Sequence, residues 1–310
     1  LVVFQFVLSI ILIVTVGVVY RQIEFVQTKN LGYNRDNIIY IEREGKVMES
    51  VETFVSEVKN LPGVTMAAPT SFQVAGQGYT YGISWEGNEK YNIQFHELDA
   101  GYDAMEILGL QIVSGRTFSR DFPADSAGIL FNETAIRMMG LVDPIGRKVN
   151  HYSGPRQIVG IIKDFQFESL YQPIKPVCIL FSPKQTRFVM MKLEEGREKE
   201  AIAALQTFYP SFNPGFSFGY KFMDDDYQAL YESEQRVAVL SKYFAGLAII
   251  ISCLGLFGLA AFTAERRQKE IGIRKILGSG EWRIIYLLSG NFTKMIVVAI
   301  VLALPVSYYL

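Results

Sequence analysis

Two uncharged apolar runs constrain this chain more than any other feature. Residues 1–20 read LVVFQFVLSIILIVTVGVVY, and residues 243–263 read YFAGLAIIISCLGLFGLAAFT. Each run is long enough to cross a hydrocarbon core about 30 Å thick. A third apolar run, residues 295–310, continues to the last residue. Because the chain also begins with Leu inside a span, we expect a fragment of a longer membrane protein.

The distribution of basic residues predicts the orientation of these helices. Short loops rich in Lys and Arg stay in the cytoplasm, whereas connections of some two hundred residues translocate largely regardless of charge. The sequence between the second and third apolar runs is the basic one, ERRQKEIGIRKILGSGEWR at residues 265–283. We therefore expect a multi-pass membrane protein whose basic loop is cytoplasmic and whose large domain lies outside the cytoplasm.

The predicted fold class is an α+β membrane protein in which transmembrane helices flank a large extracytoplasmic domain. The predicted segments are a transmembrane helix at 1–20, a stalk helix at 21–32, a core domain at 33–223 with a β-rich insert at about 72–130, a stalk helix at 224–242, a transmembrane helix at 243–263, a cytoplasmic segment at 264–292 and a truncated transmembrane helix at 293–310.

Strand and helix patterns in the core domain occur in two similar sets. NIIYIE and VTMAAPTS flank an amphipathic helix, and TRFVMMKLE and GFSFGYKFM flank another one much later in the chain. Two strand–helix–strand units indicate a split βαβ arrangement of the ferredoxin-like type. Between them, YTYGISW and YNIQF alternate as a hairpin around Glu86-Gly87-Asn88.

The hairpin carries aromatic residues that could form a cargo or partner surface, although packing of one sheet face is the favoured explanation. The residues concerned are Tyr79, Tyr81, Trp85 and Tyr91.

The two stalk helices are predicted to pair as an antiparallel coil, with Gly32 capping the first and Asp224–Asp226 starting the second. Their apolar seams are Val16, Val19, Ile23 and Val26 on one helix and Leu230, Val237, Leu240 and Phe244 on the other. In the second transmembrane helix, small residues permit close helix contact, either with a membrane helix outside this sequence or within the chain. These residues are Ala248, Ser252, Gly255 and Gly258.

Motifs for chemistry are missing from the sequence. There is no P-loop pattern, and His96 and His151 stand apart from other metal-ligating residues, so they indicate structural roles. Cys178 and Cys253 fall in different compartments and exclude an internal disulfide. A formal net charge of −1 gives no nucleic-acid footprint. We expect a non-catalytic subunit with no metal and no cofactor of its own.

Helical periodicity sorts the basic loop into two faces. Ile273, Ile276 and Leu277 share one face, and Arg267, Arg274 and Gly278 share the opposite one. From charge alone, this segment is a topology-setting loop that contacts anionic lipid.

Several segments resemble FtsX/MacB-type permease subunits of ABC transporters. The motif FTAERRQKEIGIRKILGSG is similar to the signature that follows the second membrane helix in that family. LFNETAIRMMGLVDPIGRKV and IVGIIKDFQFESLYQPIKP resemble the MacB-type periplasmic core domain. Residues 1–39 resemble the start of the second half of two-repeat permeases from Bacteroidetes-like bacteria. The resemblance implies a multi-pass protein of the bacterial inner membrane with its large domain in the periplasm. It also implies that a fourth membrane helix is missing from this fragment.

This resemblance implies mechanical coupling to a separate cytoplasmic ATPase that binds Mg-ATP and moves the periplasmic domain. It also implies efflux or extraction of envelope cargo such as drugs, peptides or lipoproteins, and partners that include a second repeat or protomer, a periplasmic protein or lipophilic cargo, and membrane lipid. The implied coupling residues are Arg266, Arg267, Glu270, Ile271, Gly272, Arg274, Lys275 and Gly278.

Two other functions remain as alternatives. One is a transmembrane sensor, for which a cytosolic output module would follow the second membrane helix. The other is an FtsX-like regulator of cell-wall hydrolases that transports nothing.

Overall fold

A computed structural model describes residues 2–74, 78–88, 93–277 and 280–309. The chain divides into two compact units. Asn30–Leu230 forms one, called here the α/β unit, and the segments before and after it form the helical unit.

The described residues form α-helices, one 3-10 helix and β-strands, which are numbered here in chain order. The helices are α1 (Val2–Thr28), α2 (Gly45–Glu49), α3 (Val51–Val58), α4 (Ala104–Ile107), α5 (Glu133–Met139), α6 (Glu198–Phe212), α7 (Met223–Ala229), α8 (Glu232–Arg266), α9 (Gln268–Ile276) and α10 (Glu281–Tyr309), with a 3-10 helix at Pro123–Ala127. The strands are β1 (Ile38–Glu42), β2 (Val64–Thr70), β3 (Thr80–Gly82), β4 (Ser84–Trp85), β5 (Gln94–Ala100), β6 (Ile112–Gly115), β7 (Gly128–Asn132), β8 (Lys148–His151), β9 (Gly154–Ile162), β10 (Val177–Phe181), β11 (Phe188–Leu193) and β12 (Lys221–Phe222).

The first and last strands of the α/β unit confirm the predicted split βαβ arrangement. Their spatial order is β12-β1-β11-β2, and each neighbouring pair is antiparallel. β1 and β2 therefore run parallel to each other on either side of β11, which requires a crossover through α2 and α3. Phe54 of α3, Leu205 of α6 and Val189 of β11 are fully buried in a common core. Burial of each such side chain contributes about 1.5–3 kcal/mol.

The inserted strands continue the same sheet and extend further along the chain than predicted. The path continues as β2-β5-β10-β7-β9-β8-β4, so the insert runs from Thr80 to Phe181 instead of about 72–130. Its strands pair over long sequence distances, as in the parallel match of Val177 with His96. Pairing between distant strands leaves no signal in neighbouring residues, so the predicted end of the insert was placed too early in the chain.

The predicted hairpin around Glu86 is confirmed. Thr80 pairs with His96 in the antiparallel match of β3 with β5. Trp85 and Asn88 exchange two backbone hydrogen bonds, of 3.1 and 2.9 Å, across the turn. Gly87 supplies the positive φ that this turn requires.

Two predicted helix boundaries in the stalk are wrong. α1 ends at Thr28, so Gly32 lies beyond the helix and does not cap it. A Cβ at Gly32 would stand 2.8 Å from the carbonyl oxygen of Asp164, so close backbone approach explains this glycine. The predicted stalk helix 224–242 is also divided, because Met223 and Tyr227 are buried and anchor α7 in the α/β unit, and α8 starts anew at Glu232.

In the helical unit, α1 lies between α8 and α10. Two helices in the described part of the chain are long and apolar enough to cross a membrane, Val3–Thr28 and Glu232–Arg266. α10 begins at Glu281, so residues 281–292 are continuous with the helix that contains the third apolar run. Its apolar part, Thr293–Tyr309, is shorter than the two spans.

The seam predicted for the second stalk helix is wrong. Val237, Leu240 and Phe244 are more than half exposed within the helical unit, whereas Ala245 and Ser252 are buried. The buried positions of α8 lie further along the chain, in the apolar run at residues 243–263, where small side chains permit close helix contact.

Candidate functional site

The predicted coupling residues occupy the end of α8 and the whole of α9. Arg267 is the single residue that separates the two helices. Its backbone N–H donates to the carbonyls of Thr263 and Ala264, at 3.1 and 3.2 Å, and its own carbonyl accepts from the N–H of Ile271 at 2.9 Å. A shared donor of this kind is typical of a helix end. Both backbone polar groups of Arg267 therefore have partners, although α8 ends and α9 begins at this residue.

Charged residues of α9 are arranged to stabilise a short exposed helix. Glu270 lies in the first turn and Arg274 and Lys275 lie in the last, which matches the helix dipole. Arg274 also contacts Glu270 at 2.7 Å one turn earlier. An i, i+4 pair of this type contributes about 0.3–0.5 kcal/mol. At the end of α8, the Arg266 guanidinium lies 5.0 Å from the ring centroid of Phe262.

One face of α9 is apolar and exposed. Ile276 and the following Leu277 are 88% and 79% exposed, and Ile273 is also mostly exposed. A Cβ added at Gly272 would meet nothing within 4 Å. Gly278 lies outside the described residues. The segment is thus an amphipathic helix whose apolar face has no cover among the described residues of this chain.

The small residues of α8 face α1 in part. The Ser9 and Ser252 hydroxyls are 2.7 Å apart, and Ser9 also reaches the carbonyl of Ala248 at 3.3 Å. A Cβ at Gly255 would stand 2.8 Å from Oε1 of Gln5, whereas one at Gly258 would meet nothing. Ala248, Ser252 and Gly255 therefore lie at an intrachain contact, and Gly258 makes no such contact with the described residues.

Sequence reasoning missed the α1 side of this contact. Gln5 and Ser9 are polar residues four positions apart in an otherwise apolar helix. Residues at that spacing share a helix face, and a polar residue in a membrane span usually faces protein. The signal was therefore present in the sequence.

The predicted aromatic surface is divided by the structure. Trp85 is buried in the core of the insert, with Ile83 and Phe95. Tyr79 is 77% exposed. Tyr81 contacts Tyr152 with ring centroids 4.4 Å apart. Tyr91 lies outside the described residues, so three of the four positions are placed and only two of these remain at the surface.

Next to these rings lies a buried group of ionisable side chains. His151 Nε2 is 2.7 Å from Glu97 Oε2, and His151 Nδ1 is 2.7 Å from Ser153 Oγ. Burial, reinforced by the charge of Glu97, raises the pKa of Asp99 to about 6. His151 is isolated in sequence but paired in space with a carboxylate 54 positions away. This pair has a structural role that no local pattern indicated.

Helices long enough to span a membrane precede and follow a mixed α/β unit along the chain, the arrangement of a membrane protein with a large domain on one side of the bilayer. Residues 6–208 match the family model of the MacB-like periplasmic core domain, and residues 243–310 match that of the FtsX-like permease C-terminal domain. The chain belongs to the MacB/FtsX family of ABC transporter permeases, as its motifs predicted.

Relatives and solved structures of this family are distant in sequence. The chain is 23% identical over 244 residues to the uncharacterized ABC transporter permease YknZ of Bacillus subtilis, a match that covers 70% of this chain and 57% of YknZ. It is 21% identical over 225 residues to the macrolide export ATP-binding/permease protein MacB of Chromobacterium violaceum, covering 66% and 34%. The chain thus spans from about a third to just over half of these relatives' length.

Crystal structures of two extracytoplasmic regions are also similar. The periplasmic region of MacB from Actinobacillus actinomycetemcomitans has a TM-score of 0.47 at 13% identity, covering 66% of this chain and 97% of that one. The extracellular domain of the noncanonic ABC-type transporter YknZ from Gram-positive bacteria has a TM-score of 0.44 at 14% identity, covering 59% and 97%.

Proposed function

We propose that this chain is the permease subunit of an ABC transporter in the bacterial inner membrane, where a separate cytoplasmic ATPase hydrolyses Mg-ATP and moves the α/β unit mechanically. The ATPase contacts α9 and the end of α8. The observation that carries this proposal is the continuity of α8, an unbroken 35-residue helix that ends at Arg266 beside the exposed amphipathic α9. Backbone hydrogen bonds within a helix resist extension and bending, so a helix of this length transmits displacement.

The two faces of α9 support an ATPase as its partner. An amphipathic helix that places Ile273, Ile276 and Leu277 in solvent requires a cover, and a hydrophobic groove on a partner provides one. Arg274 and Lys275 add charges that a complementary acidic rim would orient. The family's printed descriptions, ABC transporter permease and ATP-binding/permease protein, support the class of that partner.

Export or extraction of envelope cargo is the proposed outcome of the movement. One relative is described as a macrolide export protein, which supports a lipophilic compound as cargo. The chain matches only 34% of that relative, so the cargo is proposed at the level of drugs, peptides or lipoproteins.

A charge reversal with a matched control tests the coupling segment. Arg274→Glu removes the pair with Glu270, and Arg236→Glu removes a similar i, i+4 pair with Glu232 near the start of α8. The full-length protein is purified with its ATPase subunit, and the bound ATPase and its hydrolysis rate are measured. We expect Arg274→Glu to lower the association by about tenfold, which corresponds to about 1.4 kcal/mol, and Arg236→Glu to leave it unchanged. Equal behaviour of the two variants, or no ATPase bound to the unmodified protein, contradicts the proposal.

A further inference from the structure

The polypeptide enters the α/β unit after α1 and leaves it before α8. The entry segment is defined here as residues 30–37, and the exit segment as residues 223–230. Any movement of α1 or α8 reaches the α/β unit along the chain through these two segments. What connects them inside the unit therefore decides whether they respond separately or together.

Arg35 connects the entry segment to the exit segment directly. Its Nε is 2.8 Å from Oδ1 of Asp224, and its guanidinium carbon lies 3.9 Å from the ring centroid of Tyr227. The Arg35 and Asp224 side chains are only 18% and 35% exposed, and Tyr227 is buried. Partial burial reduces screening by water and salt, so this pair is stronger than a fully exposed one.

A second contact joins the same helix to β1. The Tyr40 hydroxyl donates a hydrogen bond to Oδ2 of Asp226. Burial, together with this bond, raises the pKa of Tyr40 above its usual value, so the phenol stays protonated. Asp224, Asp226 and Tyr227 all belong to the short helix α7, which is thereby attached to the entry side of the unit through three side chains.

The acidic residues of α7 have a more specific role than helix capping. Phe222 occupies the N-cap position and makes no side-chain cap hydrogen bond. Asp224 and Asp226 instead face Arg35 and Tyr40, while Asp225 is exposed. A role at the start of a helix accounts for acidic residues in its first turn. It does not account for the contact of Asp224 with Arg35, which lies 189 positions earlier in the chain.

We propose that Arg35, Asp224 and Tyr227 form a clasp that makes the entry and exit segments move as one body. Displacement of either membrane helix then reaches the α/β unit through both connections, and the two segments cannot separate during the ATPase cycle. This inference rests on the proposed function for its mechanical role, whereas the clasp itself is testable without any ATPase.

Hydrogen–deuterium exchange of the full-length protein in lipid nanodiscs tests the clasp. Arg35→Ala removes both contacts. Arg187→Ala is the matched control, because Arg187 also contacts a carboxylate, Glu42 at 3.3 Å, and a ring, Phe188 at 5.1 Å, without joining the two segments. We expect Arg35→Ala to accelerate exchange about tenfold in both segments, and Arg187→Ala to leave them unchanged. Acceleration in one segment only, or in neither, overturns the clasp.

A charge exchange separates a specific pair from general destabilisation. The double variant Arg35→Asp with Asp224→Arg restores opposite charges at the same two positions. Exchange that returns to within about threefold of the unmodified protein supports the clasp. Exchange as fast as in Arg35→Asp alone contradicts it.

The mechanical role is tested with spin labels at the exposed positions Asp36 and Ala229, one in each segment, in complex with the copurified ATPase and Mg-ATP. We expect one narrow distance distribution throughout the cycle in the unmodified protein. In Arg35→Ala, we expect a distribution that broadens only during hydrolysis, with ATPase association intact. A narrow distribution in both proteins during hydrolysis overturns the mechanical role. If no ATPase associates, the proposed function fails while the exchange measurements still decide the clasp.

Discussion

At the scale of single residues, substitution by Leu at two glycines of α8 is expected to affect thermal stability differently. Gly255→Leu places a large side chain against Gln5 of α1, and overpacking of a close helix contact costs about 1–3 kcal/mol. Gly258→Leu adds the same side chain where a Cβ would meet no described atom outside its own helix turn within 4 Å. We expect Gly255→Leu to lower the thermal stability of the detergent-solubilised protein and Gly258→Leu to leave it unchanged, as measured by light scattering during heating. A larger loss for Gly258→Leu contradicts the intrachain contact.

Asp99 predicts a dependence of stability on pH. Burial and the neighbouring Glu97 raise its pKa in the folded chain to about 6, from an ordinary value of 3.8. Between these values the folded chain binds more protons than the unfolded chain. Its stability therefore falls as the pH rises from about 4 to about 6, and this contribution remains unfavourable at higher pH.

Replacement of Asp99 tests this contribution. We expect Asp99→Asn to raise the unfolding temperature of the α/β unit at pH 7.5 by about 2–4 °C, with a smaller gain at pH 4.5. Trp85 fluorescence in a Trp282→Phe background reports this unit, since Trp85 is buried in its insert. Asp121→Asn, at an exposed carboxylate, serves as the control. A gain that is the same at both pH values contradicts the assignment.

At the scale of elements, the sequence predicted structure well where neighbouring residues carry the signal. Alternating and helical periodicities around Tyr40 and Phe54 identified the split βαβ units, and the shift from hydrophobic to basic composition located α9. The end of the insert and the pairing of His151 with Glu97 depend on contacts between distant strands. The α8 seam failed for another reason: a rule for helices in water selected Leu240 and Phe244, whereas the contact uses Ser252 and Gly255.

The helix α9 provides a prediction at this scale. Gly272 has open space around its α-carbon, so Gly272→Ala stabilises the helix by about 1 kcal/mol, whereas Gly272→Pro costs about 3 kcal/mol. We expect slower hydrogen exchange of the α9 amides in the alanine variant and loss of protection in the proline variant. Under the proposed function, stimulation of the ATPase persists with alanine and disappears with proline. Equal stimulation by both variants shows that the helical form of α9 is not needed.

At the scale of the whole molecule, the proposed function depends on two features. One is the basic charge of α9, and the other is the unbroken helix α8 between α9 and the α/β unit. A basic α9 favours the cytoplasm, and α8 joins it through Arg267 to the exit segment of the α/β unit. Under the proposed function, the clasp at Arg35 transmits displacement of either α1 or α8 to the α/β unit through both the entry and the exit segment. The proposed function requires this orientation, because in the opposite orientation α9 would lie outside the cytoplasm and could not contact a cytoplasmic ATPase.

Labelling of intact spheroplasts with a membrane-impermeant maleimide tests that orientation. Cys253 is exposed and is replaced by Ser, whereas Cys178 is retained because burial raises the pKa of its thiol and keeps it unreactive. We expect a cysteine at Asn88, in the insert, to react from outside, and one at Lys275, in α9, to react only after permeabilisation. Permeabilised spheroplasts provide the control for intrinsic reactivity at both positions. The reverse pattern would place α9 outside the cell and would exclude its contact with a cytoplasmic ATPase.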